Sequence, residues 1–363
     1  MRKIFILGGS DLQLDLILEA KKMFFYTIVL DMDKNCIGSK WCDEFLHIDI
    51  ANKELVLQKA KEYNIEVILT SATELGNVTA CFVGEKLGLN TNSYQTALNT
   101  TNKIFMKQIL EQNDISTAKY KVFNADEQID WDIFPCIIKP SDSSAGRGVK
   151  YCQNINDLQQ NLQITKQFCK NSKIIVEQYI EGKQYSIETI SCNGKHQIVA
   201  IDKEFIRNTP EPMEVAHQIP SGIEEKFGKK VQEVASKVLD AFDIKYGASH
   251  IEFRMDKDEN IFIIELASRT GGMRSEMINL AYGISFSQLL LLSALNKLSN
   301  ITISRNNRVN CNFIIDYDSY QTYTQHEKKS LIFEPVKIEQ VDKDFKALNL
   351  IESKGFYYIL EEK

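Results

Sequence analysis

Glu252 and Glu265 flank a polar turn centred on Asp258-Glu259, in the segments Gly247-Ala248-Ser249-His250-Ile251-Glu252-Phe253-Arg254 and Ile261-Phe262-Ile263-Ile264-Glu265-Leu266. Both segments read as strands. In the first, Ile251 and Phe253 alternate with His250, Glu252 and Arg254, and in the second Glu265 interrupts an apolar run. A regular hairpin about that turn sets the two glutamates directly opposite each other. Opposed residues have Cβ atoms about 4.5–5.5 Å apart, and like charges there destabilise a sheet. Two charges about 4 Å apart repel by roughly 1 kcal/mol in water and about 4 kcal/mol near a protein surface. A divalent cation between them reverses the sign, and hard carboxylate oxygens are what Mg²⁺ selects. The alternatives are a solvated pair on an exposed face or a register slipped by one. The apolar neighbours of Glu265 argue against exposure.

A second constellation is Ile137-Ile138-Lys139-Pro140-Ser141-Asp142-Ser143-Ser144-Ala145-Gly146-Arg147-Gly148-Val149. An apolar strand delivers Lys139, and a small flexible loop follows. Gly146 and Gly148 free the backbone to bring N–H groups onto phosphate oxygens, and Ser143 and Ser144 add donors. The lysine precedes the loop and no helix starts after it, so this is not a Gly-x-x-x-x-Gly-Lys-Ser/Thr loop. An ordinary hairpin loop has the same composition, and Lys139 inside an apolar strand is what favours a positioned cation. A third stretch, Ile174-Ile175-Val176-Glu177-Gln178-Tyr179-Ile180-Glu181-Gly182-Lys183-Gln184, is a buried strand running into a short linker. Backbone at that junction can meet a base edge, with Tyr179 and Ile180 as apolar walls. Alone, this signal is weak.

The elements that must position these groups follow from patterning. Residues 1 to about 95 alternate short apolar strands (Lys3–Leu7, Tyr26–Leu30, Val67–Thr70) with amphipathic helices (Leu12–Lys22, Lys53–Tyr63, Val78–Leu87), which predicts a parallel sheet covered by helices on both faces. The turn Gly8-Gly9-Ser10 lacks the Gly-x-Gly-x-x-Gly fingerprint, so Asp31 at the next strand end is not read as a ribose ligand and this unit is read as scaffold. From Thr100 the pattern changes. Thr100 or Thr101 caps a helix to about Gln112, strand-rich stretches cover 118–152 and 174–206 around a helix at 157–169, and a long helix covers 224–242. Beyond the Glu252–Glu265 hairpin a helical stretch runs to about Leu298, and the tail suggests short strands at 310–315, 336–341 and 356–360. The division predicted is a front α/β unit (1–97), a body (98–300) whose lid covers about 118–190, and a small strand-rich unit (301–363).

Composition excludes several classes. The chain has 363 residues, 44% hydrophobic and 25% charged, with a formal net charge of −6. No basic stripe interleaved with aromatics appears, which argues against nucleic acid as a partner. No apolar run approaches the roughly 20 residues of a membrane span, and the start reads as a buried strand and not a signal peptide. The eight cysteines are scattered without a Cys-x-x-Cys pair, so a disulfide scaffold and a structural zinc site are not expected and a cytoplasmic setting is.

Lys103, Lys139 with its Gly-rich loop, Glu177 to Ile180, Glu252 and Glu265 occur together in an order and spacing that resembles the ATP-grasp superfamily, over nearly the whole chain. The resemblance is to its carboxylate–amine ligases, in the branch of carbamoyl-phosphate-synthase-like enzymes and L-amino-acid ligases. It implies an ATP-grasp fold, with a Rossmann-like front domain and a small strand-rich C-terminal domain, and an ADP-forming reaction through an acyl phosphate. It also implies ATP and Mg²⁺ (or Mn²⁺) as cofactors, small-molecule carboxylate and amine substrates, and homodimerisation. Carried over, Lys103 and Lys139 contact the phosphates, and Ser143, Ser144, Gly146, Gly148 and Val149 fold over them. Glu177, Gln178 and Ile180 hold the adenine edge beside Tyr179, and Gln184 takes the ribose place of a common glutamate. Glu252 and Glu265 bind the metal, and Arg269 touches the transferred phosphoryl group. Arg269, Gly271, Gly272 and Arg274 make the substrate pocket, bordered by Lys203, Arg207 and His217, of which His217 is read as structural. Glu265-Leu266-Ala267-Ser268-Arg269 departs from the common Glu-x-Asn-x-Arg, since Ala267 cannot ligate metal. Two rivals follow: a bicarbonate- or formate-activating purine-type enzyme, and an ATP-binding protein without turnover.

Overall fold

The computed structural model describes residues 2–143, 146–207, 212–329, 332–333 and 338–361. Its front runs β1 (Arg2–Leu7), α1 (Asp11–Lys22), β2 (Phe25–Asp31), α2 (Gly38–Trp41), β3 (Glu44–His47), α3 (Lys53–Tyr63), β4 (Val67–Leu69) and α4 (Glu74–Leu87). The four strands form a parallel sheet in the order β3-β2-β1-β4. Alternate residues of β1 feed two cores: Ile4 and Ile6 join Leu16 and Ile17 of α1, while Phe5 and Leu7 join Val56 and Val83. Burial on both faces is why these strands read as continuous apolar runs. Asp31 accepts the Gly9 N–H at 2.7 Å and so holds the first turn.

The chain continues through α5 (Tyr94–Asn99) and α6 (Lys103–Gln112). Asn102 caps α6, its side chain accepting from the Ile104 and Phe105 N–H groups, in place of the expected Thr100 or Thr101. A lid follows, of β5 (Tyr120–Asn124), β6 (Cys136–Pro140), β7 (Lys150–Cys152), α7 (Ile155–Lys166) and β8 (Lys173–Gln178), with strand order β5-β8-β6-β7. The body and tail comprise β9 (Lys183–Cys192), β10 (Lys195–Arg207), β11 (Met213–Ile219), α8 (Glu224–Ala241), β12 (Gly247–Met255), β13 (Ile261–Ala267), α9 (Arg274–Tyr282), α10 (Phe286–Ala294), β14 (Arg308–Phe313), α11 (Tyr317–Lys328), β15 (Ile332–Phe333) and β16 (Phe356–Glu361).

Eight of these strands make one large sheet, β13-β12-β9-β10-β11-β14-β16-β15. Period-two alternation splits its faces. Tyr185, Ile187, Ile201, Ile251, Phe253 and Ile263 pack against α8 and α6 in one apolar cluster. Ser186, Glu188, Asp202, Glu204 and Glu252 alternate with them and are turned the other way. That polar face is the platform for the chemistry.

Two boundaries differ from those expected. The lid sheet ends at Gln178, and β9 from Lys183 is already central in the large sheet, so the hinge falls well before residue 190. The tail strands do not make a sheet of their own: β14 pairs with β11, and β16 and β15 follow. An unpaired β11 edge would otherwise leave a row of open backbone groups. The tail also holds α11, started by a capping box of Asp316 and Ser319, where only strands were expected. Residues 338–341 form no strand, and Val336 lies outside the described residues. Among the described residues no single helix is long and apolar enough to cross a membrane.

Candidate active site

The opposition of Glu252 and Glu265 is present in the register of β12 and β13. It is reached by an irregular route. Near the turn the pairing is Met255 with Ile261 and Phe253 with Ile263, a register that extended unbroken would set Glu252 against Ile264. The register shifts between Glu252 and Phe253, leaving Ile264 as an extra residue and restoring Glu265 opposite Glu252. Ser186 and then Asp202 continue the same row across β9 and β10.

Lys103, the first residue of α6, donates its Nζ to Glu265 Oε2 at 2.7 Å. Its backbone N–H is bound by the Ser141 carbonyl at 3.3 Å, tying the helix start to the end of β6. Burial works against the Lys103 charge, but Glu265 outweighs it and the pKa is raised. Burial likewise opposes the Glu265 carboxylate, and Lys103, Lys139 and Arg269 reverse that and lower its pKa. Ala267, opposite His250, is buried and offers no ligand atom. Two hard carboxylates paired across a sheet offer the oxygen donors that suit a dication such as Mg²⁺.

On the lid, Lys139 of β6 lies 2.5 Å from Glu177 Oε1, and Lys107 lies 2.8 Å from Glu177 Oε2. All three side chains are buried, so one carboxylate serves two ammonium groups. Against the cost of burial, Lys107 and Lys139 hold the Glu177 pKa down to about 2. Burial lowers the Lys107 pKa, as does the like charge of Lys139. Sequence reasoning missed Lys107, although it sits one helical turn after Lys103 and shares its face.

The Glu177 side chain is thus an ion-pair hub rather than a free base ligand. The Gln178 N–H is taken by the Lys119 carbonyl at 2.8 Å and the Tyr179 N–H by that of Pro135 at 3.0 Å. The Ile180 carbonyl accepts from Arg254 at 2.8 Å. Gln178, Tyr179 and Ile180 line a cavity of about 720 Å³ at the hinge, walled by Phe134, Phe227, Met255 and Phe262. Glu252, Glu265 and Lys139 are not among its lining residues. The Gln184 amide is also engaged, its nitrogen on Glu204 at 2.8 Å and its oxygen on Arg254 at 3.1 Å.

In the loop between β6 and β7, Gly146 and Gly148 have φ of +70° and +73°, which a side-chain-bearing residue rarely adopts. The Val149 N–H closes a turn on the Gly146 carbonyl at 3.1 Å, and Thr165 holds the Gly148 carbonyl at 2.9 Å. Ser143 lies in the same loop, and Ser144 falls outside the described residues.

Arg269 bridges the body and the front sheet. Its guanidinium reaches Glu74, at the start of α4, at 2.9 Å. Ser268 bonds Thr100 and Asn77, and Thr270 bonds Ser71 and the Ala72 N–H, so the turn carrying Arg269 is stitched to the front unit on both sides. Gly271 allows that turn to lie against the platform, since a Cβ there would stand 2.5 Å from Glu188 Oε1 and 2.8 Å from His250 Nδ1. Gly272 faces open space, and its carbonyl accepts from Arg274 at 3.0 Å.

Two expected substrate residues are corrected. Arg274 is buried, with Nε 2.8 Å from Asp202 and Nη2 2.7 Å from Glu204, so protein carboxylates occupy the guanidinium expected to grip a substrate carboxylate. Lys203 alternates with Asp202 and Glu204 and is turned to the opposite face, its ammonium 4.5 Å from the Phe205 ring centroid. Arg207 donates to the Ala347 carbonyl at 3.0 Å. His217 is buried, 3.4 Å from Asp202 and 3.1 Å from Glu214. His250, not singled out from sequence, bonds Glu188 at 2.5 Å and Glu252 at 3.3 Å. Burial disfavours its charge, but those carboxylates raise its pKa to about 10.

Comparison with known proteins is consistent with this arrangement. Residues 133–277 match the family described as "ATP-grasp domain". Among curated proteins, the formate-dependent phosphoribosylglycinamide formyltransferase of Sulfurovum sp. (strain NBC37-1) is 26% identical, the match covering 74% of this chain and 70% of that protein. The L-arginine-specific L-amino acid ligase of Bacillus subtilis is 23% identical over 73% of this chain and 68% of its own. Among solved structures, an L-amino acid ligase from Bacillus licheniformis superposes with a TM-score of 0.81 at 19% identity, covering 100% of this chain and 94% of that one.

Proposed function

We propose, from the match of residues 133–277 to an ATP-grasp domain, that the chain is an ATP-dependent, ADP-forming carboxylate–amine ligase working through an acyl phosphate. The observation that carries the reading is the pairing of two charge clusters of opposite sense, one half-buried and one buried. Glu252 and Glu265 face each other on the platform, and Lys107 of α6 shares the lid residue Glu177 with Lys139. Both named relatives join a carboxylic acid, formate or an amino acid, to an amine. That common chemistry is the substrate class proposed here, with the identity of acid and amine left open.

In this mechanism Lys103 and Lys139 hold the ATP phosphates, and the loop Ser143 to Val149 folds over them. Gln178 to Ile180 border the base, and Gln184 the ribose. Glu252 and Glu265 would hold Mg²⁺ (or Mn²⁺), which neutralises phosphate charge when bound. The substrate carboxylate attacks the γ-phosphorus, and the bond to the β–γ bridging oxygen breaks as ADP leaves. Arg269 and the lysines balance the charge spreading over the phosphoryl oxygens. Positioning and electrostatics suffice, so no protein nucleophile is required. The amine then attacks the acyl carbon and phosphate departs. Contacts of Ser268 with Asn77 and of Thr270 with Ser71 give the front unit the task of positioning Arg269. The division into a front unit, a nucleotide-gripping body and a small tail, a homodimer and a cytoplasmic setting stand with this proposal.

The test is ADP and phosphate release with Mg·ATP against a panel of acids and amines. AMP and pyrophosphate in place of ADP would sink the acyl-phosphate route. Release with formate or bicarbonate alone among the acids selects the purine-type variant, which the formyltransferase relative favours. Tight ATP binding without turnover under any pairing selects a nucleotide-binding protein, which the missing ligand atom at Ala267 favours.

A further inference from the structure

The polar face of the large sheet holds a second set of donors that the ligase mechanism leaves unused. Asp202 and Glu204 project from the same side of β10, and His217 of β11 stands directly across from Glu204. One ligand atom from each lies within 4.8 Å of the others, and all three residues are buried. We propose that Asp202, Glu204 and His217 form a second divalent-metal site, separate from the Glu252–Glu265 pair and independent of nucleotide. Mixed imidazole and carboxylate donors suit a borderline or transition ion such as Zn²⁺ or Mn²⁺ better than Mg²⁺.

Two observations carry this beyond proximity. First, His217 is 0% exposed, and neither of its ring nitrogens makes an aligned hydrogen bond among the described residues. Buried polar groups in folded proteins are nearly always satisfied, and an orphan imidazole between carboxylates is a ligand set without its ion. Second, the carboxylates of Glu188, Asp202, Glu204 and Glu214 gather here around the Arg274 guanidinium and the His217 ring, an acidic cluster that a dication can enter beside the imidazole.

The surroundings resemble an outer shell. Gln184 and Arg274 donate to the two Glu204 oxygens, the Gln218 N–H donates to Asp202 Oδ1 at 3.0 Å, and Glu214 sits 3.1 Å from His217 Nε2. Such partners orient ligating groups. The neighbouring combination of Glu204, His250 and Glu252 is a poorer candidate, because both His250 nitrogens already bond Glu188 and Glu252.

The experiment strips the full-length protein with EDTA, adds excess Zn²⁺ or Mn²⁺ without nucleotide, desalts it and measures bound metal by mass spectrometry. One equivalent is expected to remain, and to remain in Glu265→Ala. His217→Gln and Asp202→Asn should each weaken it at least about tenfold. The unmodified Mn²⁺ protein, which needs no variant to fold, should show ¹⁴N coupling from one imidazole in pulsed electron paramagnetic resonance, retained in His250→Gln. No retained metal, no nitrogen coupling, or coupling lost in His250→Gln but kept in His217→Gln would each overturn the site.

Discussion

The seam between lid and α6 and the platform hold charge differently. At the seam, Lys107 of α6 and Lys139 of the lid share the single carboxylate of Glu177, two buried cations to one anion. On the platform, the buried carboxylates of Glu188, Asp202 and Glu204 gather around Arg274 and His250, and the half-buried Glu252 and Glu265 face each other beside Lys103. Burying an uncompensated ion costs several kcal/mol, so neither cluster exists for stability alone. Each is shaped for a counter-charge that folding does not provide: an anion for the lid, and cations for the platform. A nucleotide phosphate with its metal supplies both signs at once, and Lys139 is already near enough to influence Glu265.

The largest test of this contrast removes a platform carboxylate. Glu265→Ala should reduce ADP formation by about 10³-fold or more while the protein stays folded, because it removes electrostatic stabilisation at the transferred group. A variant that kept most of its turnover in a coupled ADP assay would break the comparison. Next, the two clusters should respond to opposite ends of the pH scale. The folded Glu177 pKa is about 2 against an ordinary 4.5, so its contribution is fully present above pH 4.5 and lost as pH falls toward 2. The folded His250 pKa is about 10 against 6.5, so its contribution is present below pH 6.5 and lost as pH rises toward 10. The acid limb is worth about 3 kcal/mol and the alkaline limb about 5 kcal/mol. Urea unfolding across pH should lose the acid limb in Glu177→Gln and the alkaline limb in His250→Gln, and unchanged limbs would count against the assignment.

A smaller effect is expected from Lys107→Met. Glu177 keeps Lys139, so the loss in unfolding free energy should be about 2 kcal/mol, below the cost of stranding a buried charge completely. The Michaelis constant for ATP should rise with it, since Lys107 helps set Glu177 and through it Lys139. Ala267→Asn should have the mildest consequence, lowering the Mg²⁺ concentration for half-maximal turnover by roughly two- to fivefold if the amide oxygen joins the ion. An unchanged Mg²⁺ titration would leave Ala267 without influence on metal binding.

Much of the site was legible before any tertiary contact was known. Strand alternation put Glu252 and His250 on one face, and the turn at Asp258-Glu259 set Glu265 against Glu252. Even that needed help from a bulge at Ile264, which no local pattern announces. The glycines at 146 and 148 marked a loop whose backbone requires positive φ. The i, i+4 spacing of Lys103 and Lys107 was equally readable. The roles of Arg274 and Lys203 were not: alternation turns Lys203 away, and the acids that claim Arg274 sit some 70 residues earlier.

What the amino-acid sequence determines alone is the order of elements and the face each polar side chain takes, because periods of two and 3.6 residues are local backbone geometry. Which charge meets which was decided by packing. Glu74 on Arg269, Lys107 on Glu177 and Asp202 on Arg274 join elements far apart in the chain. An ion pair's energy depends on separation and burial, and those exist only once lid, front sheet and platform have closed on one another.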